Sequence, residues 1–281
     1  MDEIRHWIEQ APYSRCLGVV FEDVDESRAR LLLPYQDSNS NPGKALHGGC
    51  AASLGMIGGQ AVAHVALGEP SGPWHTAQMQ VSYLAAAIDE DVVAEARLLR
   101  RGKELCFVAV DVTTREGKPV ASITTTVRGR FSAEPAQTAT SAGDHGEADP
   151  GVMGPHIGKV PFIGNRGIVV EHMTGGTSRL VMPLQENNTD LSGGVHEGAV
   201  LALLDTTGAM ASWAESGPGR YKASTTSMQL QILGPPPKAD LVAYGRCMQR
   251  DGAIFWSDVE VATASDGRLV ARGTVLYRIL T

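Results

Sequence analysis

Two long stretches of the chain are apolar on every side, and each follows a glycine-rich turn. The first runs from His47 to about residue 67, and the second runs from His196 to about residue 214. A helix that is hydrophobic all round lies in the interior of a protein, so both stretches predict buried helices. The second contains one carboxylate, Asp205, which is costly to bury unless it is hydrogen-bonded or takes part in chemistry.

Around these helices, runs rich in β-branched residues alternate in part between apolar and polar positions and are separated by turn signals. Such runs predict antiparallel strands. Residues 2–10 place Ile4, Trp7 and Ile8 on one side and predict a short amphipathic helix that ends at Pro12. We expect strands at residues 18–24, 28–33, 76–84, 92–99, 105–113, 120–128, 168–173, 178–183, 223–232, 241–248, 254–262 and 269–279.

The chain repeats itself. When each residue from 12 to 112 is placed over the residue 149 positions later, 25 of 101 pairs are identical. Average composition would give roughly one identity in sixteen by chance. The register continues to the end of the chain with one residue gained near Gly117 and Gly267. Two copies of one domain therefore follow each other.

The region between the copies is rich in Ala, Gly, Pro, Thr and Asp and has few aliphatic residues. Such composition indicates a linker. We expect an N-terminal domain at residues 1–131, a linker at 132–159 and a C-terminal domain at 160–281. A nearly all-apolar helix followed by antiparallel strands is buried best when the sheet curls around it, which is the hotdog arrangement. The predicted fold class is α+β, with two hotdog domains in tandem that can cover an edge strand from each sheet.

Composition narrows the function. The 281 residues are 43% hydrophobic and 20% charged, as in an ordinary globular protein, and the net charge of -7 disfavours a nucleic-acid partner. We expect no transmembrane helix and no secretory signal, and hence a cytoplasmic protein. No two of the four cysteines, Cys16, Cys50, Cys106 and Cys247, have the CxxC spacing of a metal site. Cys50, Cys106 and Cys247 lie in apolar runs, which predicts buried free thiols in a reducing compartment.

Four features occur together: an Asn-rich loop, a His-Gly-Gly turn at His47, an acid nine residues after His196 inside the helix, and a Thr-x-x-Met on the next strand. In this combination the chain resembles the phenylacetate-type (PaaI-like) hotdog acyl-CoA thioesterases. The resemblance covers nearly the whole chain, twice, apart from the linker and the first ten residues.

The resemblance implies a site between two hotdog units. One unit supplies the loop, the histidine and the helix N-terminus, and the other supplies the helical acid and a hydroxyl on the following strand. The intact site would then use Asn41, His47, Gly48, Asp205 and Thr225. The opposite site would use Asp190, His196, Glu197, Met56 and Thr76. Pairing across the halves puts all the intact parts in one site and all the altered parts in the other, which predicts one working and one degenerate site.

At the intact site, free N–H groups at the helix N-terminus would polarise a thioester carbonyl. Gly48 lets the substrate approach the backbone, and Asp205 would act as general base on water or as nucleophile. Thr225 would orient the water or the carboxylate, and His47 would position the thioester.

The same residues also have structural interpretations. Asp205 could be a buried acid that neighbouring threonines satisfy, and the two histidines could cap their helices. Thr76 and Thr225 could be ordinary strand residues, and Met56 could be core.

Two other functions stay open. A hotdog hydratase or dehydratase is disfavoured because neither His47 nor His196 has an Asp five residues before it. A non-catalytic acyl-CoA-binding protein is the second alternative. For the thioesterase we expect an acyl-CoA substrate and no metal or redox cofactor. We expect no membrane partner, and a homo-oligomer of the double hotdog.

Overall fold

The structure is a computed structural model that describes residues 2–69, 72–129, 139–144 and 146–280. Its helices are α1 (Asp2–Gln10), α2 (Pro12–Leu17), α3 (Gly48–Leu67), α4 (Gly154–Ile157), α5 (Pro161–Asn165) and α6 (Glu197–Ser216). Its strands are β1 (Val20–Val24), β2 (Arg28–Leu33), β3 (Trp74–Tyr83), β4 (Val92–Arg101), β5 (Leu105–Thr114), β6 (Pro119–Gly129), β7 (Val169–Thr174), β8 (Thr177–Met182), β9 (Lys222–Ile232), β10 (Leu241–Asp251), β11 (Ile254–Thr263) and β12 (Leu269–Leu280).

The long helices α3 and α6 form the centres of the two halves. Each has 20 residues, nearly all buried, and the two helices pack against each other. The glycines of α3 allow close contact with the sheet, since a Cβ added at Gly59 would lie 2.3 Å from Cγ2 of Thr125. Burial on all sides explains why both helices lack a polar face.

The twelve described strands join into one antiparallel sheet with the order β1-β2-β4-β5-β6-β3-β9-β12-β11-β10-β8-β7. Strands β2–β6 pack on α3, and strands β7–β12 pack on α6. The two halves meet where β3 pairs with β9, from Gln78 opposite Gln231 to Ser82 opposite Ser227. This pairing covers an edge strand of each half. The predicted α+β fold with two hotdog units in tandem is confirmed.

The sequence pattern did not predict the short helices α2, α4 and α5. Pro12 ends the segment of α1 but also begins α2, and Pro161 begins α5 in the same way, because proline fits the first turn of a helix. Gly18 ends α2 with a φ of 77°, so the strand expected from residue 18 begins at Val20. Six residues are too few for periodicity to separate a helix from a strand.

The predicted linker lies only partly in view, because its residues 132–138 and 145 fall outside the described residues. Its remaining part packs on the second half: Thr140 forms a β-bridge with Arg268, and α4 lies against β7. The exact domain limits, 1–131 and 160–281, stay predictions.

One described helix, α3, is long and apolar enough to cross a membrane by length and composition alone. In the fold, 83% of its most apolar window is buried. The core helix of a folded domain passes the same test, and here the apolar surface of α3 contacts the strands around it.

Candidate active site

The N-terminus of α3 is held by His47. The Nδ1 atom of His47 accepts a hydrogen bond from the Gly49 amide at 3.0 Å, and the His47 carbonyl accepts one from the Cys50 amide. The first amides of a helix have no partner within the helix. Of the first three amides of α3, those of Gly49 and Cys50 are therefore bonded to His47, whereas no bond from the Gly48 amide to His47 is present among the described contacts. The Gly48 amide lies at the positive end of the helix dipole.

Asp205 of the second half faces this helix start. A Cβ added at Gly48 would lie 3.4 Å from Oδ2 of Asp205 and 3.2 Å from the ring of Tyr83. The other carboxylate oxygen, Oδ1, accepts a hydrogen bond from Oγ1 of Thr225 at 2.7 Å. The carboxylate therefore has one oxygen fixed by Thr225 and the other directed at the start of α3.

The surroundings of Asp205 change its acidity. The residue is 4% exposed, and burial raises the pKa of its carboxyl group to about 6, while the Thr225 hydrogen bond opposes that shift. A carboxylate with a pKa close to neutral is suited to accept a proton from water. At pH 7 most of the Asp205 population is still ionised.

A cavity of about 650 Å³ joins these groups. It is lined by all five residues that the sequence assigned to the intact site, namely Asn41, His47, Gly48, Asp205 and Thr225. The first three come from one half and the last two from the other, so residues of both halves line the same cavity. Their catalytic roles stay predictions.

His47 is a neutral side chain. Burial lowers the pKa of its imidazole to about 3, and the ring stacks on Phe162 at 4.2 Å between centroids. Because Nδ1 accepts the Gly49 amide, the proton of the neutral ring resides on Nε2. His47 is therefore the helix cap that the structural interpretation expected, and it also offers one donor beside the cavity that it lines.

Tyr83 and Tyr277 are among the cavity residues that sequence reasoning missed. The Tyr83 hydroxyl donates to the Gly48 carbonyl at 3.2 Å, so its ring covers the start of α3. Tyr277 lines the cavity beside Trp213. In the sequence both tyrosines are ordinary strand residues, and only the strand register shows that they reach the cavity.

The opposite site has a different polar network. Glu197 begins α6, at the position of Gly48, and is buried. Its Oε2 accepts hydrogen bonds from Nε2 of Gln60 at 2.7 Å and from the Thr76 amide at 3.1 Å. Its Oε1 lies 2.8 Å from Nδ1 of His75. The site that the sequence describes as degenerate thus still contains a carboxylate, at the start of a helix rather than in the middle of one.

The remaining residues of this site lie around a smaller cavity of about 380 Å³, which Met56, Asp190, His196 and Glu197 line. Asp190 is occupied within its own loop, where Oδ1 accepts from the amides of Ser192 and Gly194. Thr76 is buried, and its hydroxyl accepts a hydrogen bond from Gln60. The structure therefore brings these residues together, with Thr76 behind the cavity wall.

Comparison of the sequence with known families and proteins gives matches that each cover less than half of the chain. Residues 5–128 match a family described as a domain of unknown function, DUF4442. A protein of Halobacterium salinarum that is named as an esterase is 31% identical over 133 residues. These residues are 46% of this chain and 87% of that protein. Acyl-coenzyme A thioesterase 13 of Homo sapiens is 31% identical over 112 residues, which are 39% of this chain and 79% of that protein.

Solved structures match the whole chain. A hotdog-fold protein of unknown function from Alicyclobacillus acidocaldarius has a TM-score of 0.66 at 15% identity and covers 98% of each chain. The tesB protein of Mycobacterium avium subs paratuberculosis has a TM-score of 0.66 at 12% identity and covers 93% of this chain and 96% of that one. These two similarities support the fold alone. Together with the 31% identity to the two sequence relatives, they show that the chain belongs to the family of hotdog-fold thioesterases, which are thioester hydrolases.

Proposed function

We propose that this protein hydrolyses acyl-CoA thioesters at one composite site between its halves. The observation that carries the proposal is the position of Asp205, whose Oδ2 faces the start of α3 beside Gly48. A buried carboxylate directed at a helix N-terminus pairs a group that can deliver an oxygen nucleophile with a group that can stabilise an oxyanion. The human relative is named as an acyl-coenzyme A thioesterase, which supports CoA as the thiol.

The thioester carbonyl oxygen would accept a hydrogen bond from the Gly48 amide at the start of α3. The dipole of a 20-residue helix adds positive potential there. Because Gly48 has no Cβ, the substrate carbonyl can approach the backbone between Tyr83 and Asp205. The Nε2–H of neutral His47 and the side chain of Asn41 would hold the thioester in place along the same wall.

Asp205 supplies the oxygen nucleophile in one of two ways. As a general base, it removes a proton from water while the water oxygen bonds to the carbonyl carbon. As a nucleophile, its Oδ2 bonds to that carbon, and water then hydrolyses the mixed anhydride. In both routes the carbon–sulfur bond breaks, and the CoA thiolate takes up a proton. Thr225 fixes Oδ1 and leaves Oδ2 for the reaction.

One experiment separates the two routes. A single turnover in water enriched in ¹⁸O, followed by mass spectrometry of the peptide that contains Asp205, detects covalent participation. The nucleophile route leaves ¹⁸O in the carboxyl group of Asp205 when water attacks the Asp205 carbon of the mixed anhydride, and an acid quench before that hydrolysis leaves an acyl adduct on Asp205. The general-base route leaves ¹⁸O only in the released acid and forms no adduct.

The proposal itself is tested by measuring thiol release from a panel of aryl and straight-chain acyl-CoAs. We expect turnover by the natural protein and a fall in kcat of about 10²- to 10⁴-fold in Asp205→Asn, since this is the usual contribution of general acid–base catalysis. The matched control is Asp190→Asn, which changes an acid of the opposite cavity and should leave kcat within about twofold of the natural value. Equal losses in the two variants would contradict a single composite site.

A further inference from the structure

Beyond the reacting groups, the cavity follows one face of α6. Five residues of that helix line it: Asp205, Thr206, Ala209, Met210 and Trp213. Their spacing places them on one side of the helix, and α6 rises by about 12 Å between the first and the last of them. The cavity therefore extends from the carboxylate along the helix toward Trp213.

The residues that line the cavity differ in exposure. Leu84, Ala85 and Ala86 are exposed, whereas Trp213 and Tyr277 are each only 8% exposed. The ring of Tyr221, which is 39% exposed, stacks on Trp213 and covers it from solvent. The nucleotide part of CoA is large and charged, so it stays in solvent and leaves past residues 84–86. The acyl group then lies along α6 and ends at Trp213 and Tyr277.

The buried part of the lining, Trp213 and Tyr277, contains a tyrosine hydroxyl with a proton to donate. Nε1 of Trp213 donates to the Tyr277 oxygen at 3.2 Å. An indole N–H is a donor only, so the Tyr277 oxygen is the acceptor in this bond and its own hydrogen needs a different partner. No second hydrogen bond of this hydroxyl is made within the described residues. Burial raises the pKa of Tyr277 to about 12, so the proton is retained.

We infer that the Tyr277 hydroxyl donates a hydrogen bond to an oxygen atom carried by the acyl group, so that oxygenated acyl-CoAs are preferred over plain hydrocarbon ones. The inference rests on the proposed thioesterase function and adds the class of acyl group to it. Buried polar hydrogens in proteins have partners, and a ligand oxygen supplies the one that this hydroxyl lacks. A site built in this way discriminates against an analogue without the oxygen, because the donor is then left buried and unpaired.

The fold fixes where that oxygen must be. Tyr277 of β12 lies opposite Thr225 of β9, and residues directly opposite have Cβ atoms about 5 Å apart. Since Thr225 is bonded to Asp205, the Tyr277 ring begins beside the reacting carboxylate and extends toward Trp213. The acyl oxygen therefore lies several carbon atoms beyond the thioester carbonyl, within the rise of about 12 Å to Trp213.

The opposite half lacks this feature. Val127 lies opposite Thr76, as Tyr277 lies opposite Thr225, and the repeat places His64 at the position of Trp213. The Trp213–Tyr277 pair is therefore specific to the half that carries Asp205, as expected for a substrate contact.

The test is a series of octanoyl-CoA substrates that carry one ketone oxygen at carbon 4, 5, 6 or 7, compared with octanoyl-CoA itself. We expect kcat/KM to be about tenfold higher for the isomer whose ketone reaches Tyr277, because one buried hydrogen bond has about this value. In Tyr277→Phe the ratio for that isomer should fall to about one. Tyr244→Phe is the matched control, because Tyr244 packs near Gly143 and outside the cavity lining, and it should keep the ratio.

Three results would overturn the inference. The first is equal kcat/KM for octanoyl-CoA and every ketone isomer with the natural protein, a result that does not depend on the folding of any variant. The second is a loss in Tyr277→Phe that is the same for all five substrates, which would assign the hydroxyl to the CoA arm. The third is no thiol release from any acyl-CoA, which would contradict the proposed function and not only its acyl preference.

Discussion

The two sites of this molecule are each built from the start of one long helix and the middle of the other, but their carboxylates lie at different positions. At one site, α3 begins with Gly48, and the acid comes from the middle of the facing helix as Asp205. At the other site, α6 begins with Glu197, and the facing helix offers Met56. At the first site the N-terminus of α3 is open and a carboxylate lies beside it. At the second site a carboxylate side chain, Glu197, occupies the N-terminus of α6.

This difference is the one that we expect between a reactive carboxylate and a structural one. Asp205 has Thr225 on one oxygen, and burial raises its pKa to about 6. Glu197 lies at the positive end of a helix, where negative charge is favoured, and both of its oxygens have partners in Gln60, Thr76 and His75. Hydrogen bonds that satisfy a carboxylate stabilise the fold, and they also remove the unused lone pairs that chemistry needs.

The largest effect is expected when the first site is given the charge of the second. In Gly48→Glu, the new side chain begins 3.2 Å from the Tyr83 ring and 3.4 Å from Oδ2 of Asp205. It brings a second anion to the place where oxyanion charge develops. We expect kcat for thiol release to fall by about 10³-fold or more.

The control for crowding alone is Gly48→Ala, which adds the Cβ without the charge. We expect a smaller loss, on the order of tenfold. If Gly48→Ala were as inactive as Gly48→Glu, space and not charge would be the difference between the two sites.

A second effect concerns stability. Glu197→Ala removes the acceptor that serves Gln60, the Thr76 amide and His75. Leaving a buried donor unpaired costs about 1–3 kcal/mol, so the free energy of unfolding in urea should fall by about 2–4 kcal/mol. Glu197→Gln keeps one acceptor oxygen and should lose less. Thiol release per folded molecule should stay at the natural level in both variants, and a loss of kcat would show that the second site takes part in turnover.

A third effect is the pH dependence that Asp205 imposes. Burial raises the pKa of this carboxyl group to about 6, so kcat/KM should fall about tenfold per pH unit below that value and level off above it. Because the folded-state pKa lies above the unfolded value, stability from this group is fully present at low pH and is lost as pH rises toward 6. Above pH 6, Asp205→Asn should therefore be more stable than the natural protein, by up to about 3 kcal/mol. If the plot of kcat/KM against pH showed no inflection near pH 6, the ionisation of Asp205 would not control the reaction.

Much of the fold follows from the sequence because the same pattern occurs twice. The apolar stretches predicted α3 and α6 within about two residues of their limits, and each of the twelve expected strands is present in the described residues. The short helices α2, α4 and α5 were missed, since four to six residues cannot establish a period.

The candidate site divides in the same way. The resemblance to the PaaI-like thioesterases predicted a site of Asn41, His47, Gly48, Asp205 and Thr225, and these five residues line one cavity. Tyr277 and Gln60 could not be predicted, because their positions depend on how strands pair and how α3 packs against α6. The aromatic partner of His47 likewise comes from a distant element, as Phe162 of α5.

The smallest expected effect is the return of activity to the second site. In an Asp205→Asn background, Met56→Asp with Glu197→Gly restores a helical carboxylate and an open helix N-terminus there. Thr76 is the residue that the repeat places at the position of Thr225, and its hydroxyl is the one that we expect to orient the new carboxylate. Gln60 and His75 lose their acceptor, and the cavity is about 380 Å³ instead of about 650 Å³, so we expect only about a tenfold gain in kcat over Asp205→Asn alone, with short acyl groups. Folded protein without this gain would mean that the loop around Asp190, and not only the two exchanged side chains, separates the sites.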